Sequence, residues 1–208
     1  MRLLVFAAAI FFAPLSDADE SPVIPPDEYV FCTVCHGVQL KGNPLIEAPR
    51  ISRMETWYVE QQLHAFKKGW RGQHERDLNG MEMRPMAEAL SDEDIDAVAA
   101  YVHSVDSERP AETVQGNAAN GRAYYASCAA CHGANGEGIE ALGAPSLTGV
   151  NDWYLVTQVK NFRDGTRGAS PGDAYGAQMR AAAQILTNDQ AIFDVVSYVS
   201  TLSSKQEK

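Results

Sequence analysis

The 208-residue chain carries 17 basic and 27 acidic side chains, a formal net charge of −10, and 45% of its residues are hydrophobic. That balance excludes a disordered tail and a bundle of membrane spans. The acidic excess excludes nucleic acid as a partner, because phosphate contacts need clustered Lys and Arg, and favours partners with basic docking surfaces.

In chain order, Arg2 gives a short positive start and Leu3 to Ala13 an apolar run. A bilayer span needs about 20 such residues, so the run is too short to anchor the chain. Ser16-Asp17-Ala18 places small residues where a signal peptidase reads. Residues 1–18 are therefore expected to be an export signal cleaved near Ala18, delivering the mature chain to the periplasm. No other stretch is long and apolar enough to span, and peripheral association with a membrane stays open.

The rest of the chain is written twice. At an offset of 96, Cys128, Cys131, His132 and Gly133 fall on Cys32, Cys35, His36 and Gly37. Ala144-Pro145 falls on Ala48-Pro49, Trp153-Tyr154 on Trp57-Tyr58, and Gly165, Arg167 and Gly168 on Gly69, Arg71 and Gly72. Met179-Arg180 falls on Met83-Arg84. This is a tandem duplication, and each copy is a small domain. The polar, proline-bearing stretch around Asp106–Thr113 separates them. The expected division is a first domain at 19–105, a linker at 106–115 and a second domain at 116–208.

Both copies show helical periodicity, with Val59, Leu63 and Phe66 repeated as Leu155, Val159 and Phe162. Ile95, Val98, Val102 and Val105 line the last helix of the first copy, and Ile192, Val195, Val199 and Leu202 that of the second. Ser91, ahead of Asp92, Glu93 and Asp94, reads as one helix cap, and Thr187 with Gln190 as a capping box. No stretch alternates with period two. The fold class is all-α, two tandem helical domains.

Cys-x-x-Cys-His at 32–36 and 128–132 admits four readings. Structural zinc wants its Cys pairs close together, but here they sit in different domains. A thioredoxin-like redox pair wants a βαβ context, which is missing. Paired disulfides leave the adjoining His and the repeated methionines unexplained. Covalent haem attachment accounts for all of it, with two thiols joined to the haem and His36 or His132 facing the iron. The chain is thus expected to carry two covalently bound haem c.

The repeat then selects Met83 and Met179 as the opposite axial ligands. Met81 and Met86 fall on alanines, and together with Met54 they read as core fillers. His64, His74 and His103 have no counterpart in the second copy and read as surface or structural residues. Gly133 to Gly138 has the spacing of a nucleotide loop but no preceding strand, and reads as a loop after the attachment helix.

With these residues in place, each half resembles a class I cytochrome c domain, and the pair resembles the dihaem cytochromes of the c4 type. The resemblance implies a proline carbonyl, from Pro49 or Pro145, on the Nδ1–H of each histidine. It also implies that Tyr58, Tyr154, Arg71 and Arg167 could bind haem propionates. One departure concerns the first helix. Ala118 to Ser127 makes a full helix with Gly121 at the crossing point, whereas Pro25 stands there in the first copy.

The family further implies an electron carrier rather than an enzyme, shuttling between respiratory complexes toward a terminal oxidase. The alternatives are an electron-accepting subunit of a dehydrogenase, for instance one oxidising sulfur compounds, or a dihaem peroxidase.

Overall fold

The computed structural model describes residues 25–203; the expected export signal lies outside them. Four helices come from each copy. The first contributes α1 (Tyr29–His36), α2 (Thr56–Lys67), α3 (Leu78–Glu88) and α4 (Asp92–Ser104). The second contributes α5 (Ala118–His132), α6 (Asp152–Arg163), α7 (Ala174–Ala183) and α8 (Asp189–Ser203). Among the described residues there is no strand, only isolated bridges pairing Asn43 with Ala48 and Ile139 with Ala144.

Each copy buries its own core. In the first, Ile95, Val98, Ala99 and Val102 of α4 meet Val59, Leu63 and Phe66 of α2. In the second, Ile192, Val195, Val196, Val199 and Leu202 of α8 meet Val156 of α6. The stripe on α6 is displaced from expectation. Leu155 and Val159 are only half-buried, and Val156 takes the inner position.

The helix starts follow cap chemistry. Ser91 Oγ accepts from the Asp94 amide while Asp94 reaches back to the Ser91 amide, a complete capping box. In the second copy the cap is Asn188, whose Oδ1 accepts from the Ala191 amide at 2.9 Å, not Thr187. Gln190 bonds forward to Asp194 instead of back to the helix start.

The two attachment helices differ as the prolines imply. α1 has 8 residues, because Pro25 and Pro26 stop it from extending backwards, and it meets α4 through Tyr29 stacked edge-on against Tyr101 at 4.2 Å. α5 has 15 residues and lies closely on α8. A Cβ at Gly121 would stand 1.9 Å from the Asp194 carbonyl oxygen, so only glycine permits this approach. Asp194, buried on α8, takes hydrogen bonds from the Asn117 amide and the Asn120 and Gln190 side chains.

The stretch between the copies is tied down. Arg50 donates from Nε to Ser107 Oγ at 3.1 Å and from a terminal nitrogen to the Ser107 carbonyl at 2.9 Å. Asp152 accepts from the Thr113 and Val114 amides and the Thr113 hydroxyl. With both ends held, the two copies face each other across a shared interface.

Candidate haem sites

Each attachment helix ends on its histidine, and the turn out of it is made by Gly37 (φ 78°) or Gly133 (φ 80°). The cysteines of each pair stand one helical turn apart on one face. None of the four is paired in a disulfide; Cys32 and Cys128 are half-buried, Cys35 and Cys131 exposed. Burial raises the Cys32 pKa and pushes Cys128 up to about 11, the opposite of what a reactive redox thiol needs. No cluster of three His, Cys, Asp or Glu side chains gathers among the described residues, so the donor set of a structural zinc is not assembled.

Both histidine rings are buried and oriented alike. His36 Nδ1 lies 2.7 Å from the Pro49 carbonyl oxygen and His132 Nδ1 lies 2.9 Å from that of Pro145. A carbonyl only accepts, so Nδ1 carries the proton and Nε2 keeps its lone pair. Burial lowers both pKa values against the opposing pull of the proline carbonyls, and the Glu55 charge also acts on His132. A neutral imidazole with its Nε2 free and its other nitrogen anchored is the donor an iron requires. The residues present therefore fit a haem iron.

Each proline is followed by a second contact of the same peptide unit. The Arg50 amide donates to Asn151 Oδ1 at 2.6 Å, and the Ser146 amide donates to Glu55 Oε1 at 2.8 Å. Both acceptors belong to the opposite copy.

Met83 lies in the middle of α3, half-buried and packed against the first core, and Met179 occupies the equivalent half-buried place in α7. Met81 and Met86, expected as core fillers, are exposed on α3. Positions of α3 and α7 are set by paired glycine contacts. A Cβ at Gly72 or Gly168 would lie 2.1 Å from the Gly80 or Gly176 carbonyl oxygen, and both backbones have positive φ.

Tyr58, Tyr154, Arg71 and Arg167, expected as residues that could bind haem propionates, come together as one cluster across the interface. Arg71 donates to Gln62 Oε1 of its own copy at 2.9 Å and to the Tyr154 hydroxyl at 3.3 Å. Arg167 donates to Gln158 of its own copy and to Gln62 of the other at 2.9 Å, and its charge acts on the Tyr58 hydroxyl. The guanidiniums stack at 4.3 Å on Phe66 and Phe162 respectively.

Two cations thus converge in a buried site. Burial and the Arg71 charge push the Arg167 pKa down; at Arg71 burial acts the same way, but Tyr154, Tyr58 and Asp77 outweigh it. Arg71 Nε is buried with no hydrogen-bond partner. An orphaned donor beside paired cations is what anionic carboxylates would satisfy, so the cluster fits haem propionates.

Sequence reasoning missed Gln62, Gln158, Arg50, Glu55 and Asn151. The glutamines were within reach, since they match at the offset of 96 one turn beyond the tyrosines.

Two helical domains, each presenting Cys-x-x-Cys-His with an anchored histidine, define a dihaem electron carrier rather than an enzyme. The sequence model of the cytochrome c family matches residues 29–106 and 118–203, and the chain belongs to that family, with two covalently bound haem c. It is 31% identical over 186 residues to the thiosulfate dehydrogenase electron acceptor of Stutzerimonas stutzeri, covering 84% of this chain and 80% of that one. It is 32% identical over 180 residues to cytochrome c4 of Pseudomonas aeruginosa, covering 82% and 83%. Its structure superposes on a thiosulfate dehydrogenase from Marichromatium purpuratum with a TM-score of 0.66 and 29% identity. That match covers 82% of this chain and 36% of the dehydrogenase, so this chain spans about a third of that protein's length.

Proposed function

We propose that the chain is an exported, periplasmic carrier that passes single electrons between respiratory complexes, toward a terminal oxidase. The domains are taken as 19–105 and 116–208, joined by 106–115, with residues 1–18 removed on export. Haem, when bound, supplies the one-electron couple. His36 and Met83 would hold the iron of the first haem and His132 and Met179 that of the second, leaving substrate no ligand place at either. A histidine–methionine pair raises the reduction potential relative to two nitrogen ligands.

The observation that carries this reading is that both copies repeat the same ring anchor and the same helix-borne methionine. A peroxidase needs one site to be open, and the duplication gives no sign of such a difference. Met83→Ala or Met179→Ala should remove half of the sulfur–iron charge-transfer absorption of the oxidised protein. The choice of Met83 and Met179 fails if Met81→Ala or Met86→Ala does so instead, and the carrier reading fails if the unaltered protein rapidly binds cyanide.

A second reading, an electron acceptor for a thiosulfate dehydrogenase, is favoured by the names of two relatives and of a structural neighbour. Both routes use the same two sites and differ in the donor.

A further inference from the structure

We propose that each domain tunes the haem-facing histidine of the other through a single peptide unit: Asn151 acts on His36 through Pro49–Arg50, and Glu55 acts on His132 through Pro145–Ser146. The inference rests on the reading of both histidines as iron ligands.

The geometry is the same on both sides. The carbonyl of each peptide accepts from the histidine Nδ1–H, at 2.7 and 2.9 Å, while its N–H donates across the interface, at 2.6 and 2.8 Å. Hydrogen bonds in such a chain polarise one another. Drawing on the amide N–H makes the carbonyl oxygen a stronger acceptor, and that draws on the Nδ1 proton. The more imidazolate-like the ring, the more strongly its Nε2 donates, which favours the oxidised metal.

The acceptors are also displaced from a use they would ordinarily have. Glu55 is the N-cap residue of α2 and Asn151 that of α6, yet neither side chain caps its own helix. Asn is among the best N-cap residues, so turning its side chain away forgoes a stabilising cap. Both side chains turn instead to the opposite domain.

The two relays are not equal. Asn151 offers a neutral amide oxygen, whereas Glu55 offers a carboxylate. Hydrogen bonds to an ionised acceptor are roughly twice as strong as neutral ones. Glu55 therefore makes His132 the more basic ring and holds the potential of the second haem below the value a neutral acceptor would give. Glu55 is a positioning residue: its hydrogen bond goes to the Ser146 amide, and the Pro145 carbonyl of the same peptide meets the histidine.

Glu55→Gln keeps the acceptor oxygen and the docking contact while removing the charge, and Asn151→Asp adds a charge to the other relay. At a fixed ambient potential, Glu55→Gln should raise the reduced-to-oxidised ratio of the second haem about three- to tenfold. The first haem should be unchanged. The His132 Nδ1–H resonance of the reduced protein should move to lower chemical shift. Asn151→Asp should do the reverse at the first haem and at His36 alone. An unmoved second haem in Glu55→Gln, or a second haem that shifts while the His132 Nδ1–H resonance stays put, overturns the relay, since the latter is the mark of a charge acting through space. The low-spin nitrogen–sulfur spectrum of the unaltered protein is recorded alongside. Its absence overturns the ligand reading and the relay together, whereas a failed relay leaves that spectrum intact.

Discussion

At the scale of residues, the interface cluster shows most clearly how charge decides what a site accepts. Arg71 and Arg167 would repel each other if left alone in a buried space, and their neighbours supply neutral oxygens from glutamine and tyrosine. Stability then depends on the anions they meet. Arg71→Ala in the haem-loaded protein should lower the unfolding free energy by about 3–5 kcal/mol, the cost of leaving a buried counter-charge unpaired. Arg71→Lys should recover only part of it, because an ammonium cannot fork between Gln62 and Tyr154. Urea denaturation measures both; a loss below about 1 kcal/mol would mean that no buried anion depends on Arg71. The cysteines and histidines were legible in the sequence because haem attachment is local chemistry with a fixed spacing. Glu55 and Asn151 were not, because they differ in identity between the copies and their partner amides lie about 90 to 100 residues away in the chain.

Among the helices, the contrast between α1 and α5 was legible from Pro25, Pro26 and Gly121, since proline and glycine act through backbone geometry alone. The start of α8 was not: Thr187 and Asn188 are both good caps, and the sequence does not say which one turns its side chain back. The α5–α8 contact gives a pH dependence. Hydrogen bonds from the Asn117 amide, Gln190 and Asn120 hold the Asp194 carboxyl below the usual carboxylate range. A depressed folded pKa contributes stability that is fully present above the unfolded value, about 4, and is lost as pH falls through the folded one. Asp194→Asn should therefore cost about 1–3 kcal/mol at neutral pH. It should also flatten the decline of stability below pH 4, as read by thermal unfolding across pH. A parallel decline in the variant and the unaltered protein would remove Asp194 from the acid transition.

Across the whole molecule, charge is unevenly divided. Residues 19–110 hold nine basic and seventeen acidic side chains, a net of −8, and residues 111–208 hold seven and nine, a net of −2. The first domain is thus the negative pole, and its acidic helix start on α4 includes the exposed Glu93 and Asp96. With a basic redox partner, reversing Glu93 and Asp96 to Lys should slow second-order electron transfer several-fold more than reversing Glu112 and Glu140. The difference should vanish near 1 M salt, where the Debye length is about 3 Å. Equal effects at both poles in stopped-flow mixing would refute directed docking. The same mixing with a thiosulfate dehydrogenase as donor separates the two proposed routes. Domain number and helical class were plain from the repeat, but that the two halves would close on each other was not, since a ten-residue connection allows contact without requiring it.

The pairing of Arg50 with Asn151 and of Ser146 with Glu55 places equivalent positions opposite one another, as do the two arginines with the two tyrosines. A contact in which the same patch meets itself is the signature of a two-fold dimer. Joining two copies on one chain replaces a concentration-dependent association by one with an effective concentration in the millimolar range. A symmetric dimer must carry every substitution twice. The fused chain need not, and a carboxylate at Glu55 where its twin Asn151 carries an amide is a difference that no homodimer of a single domain could hold.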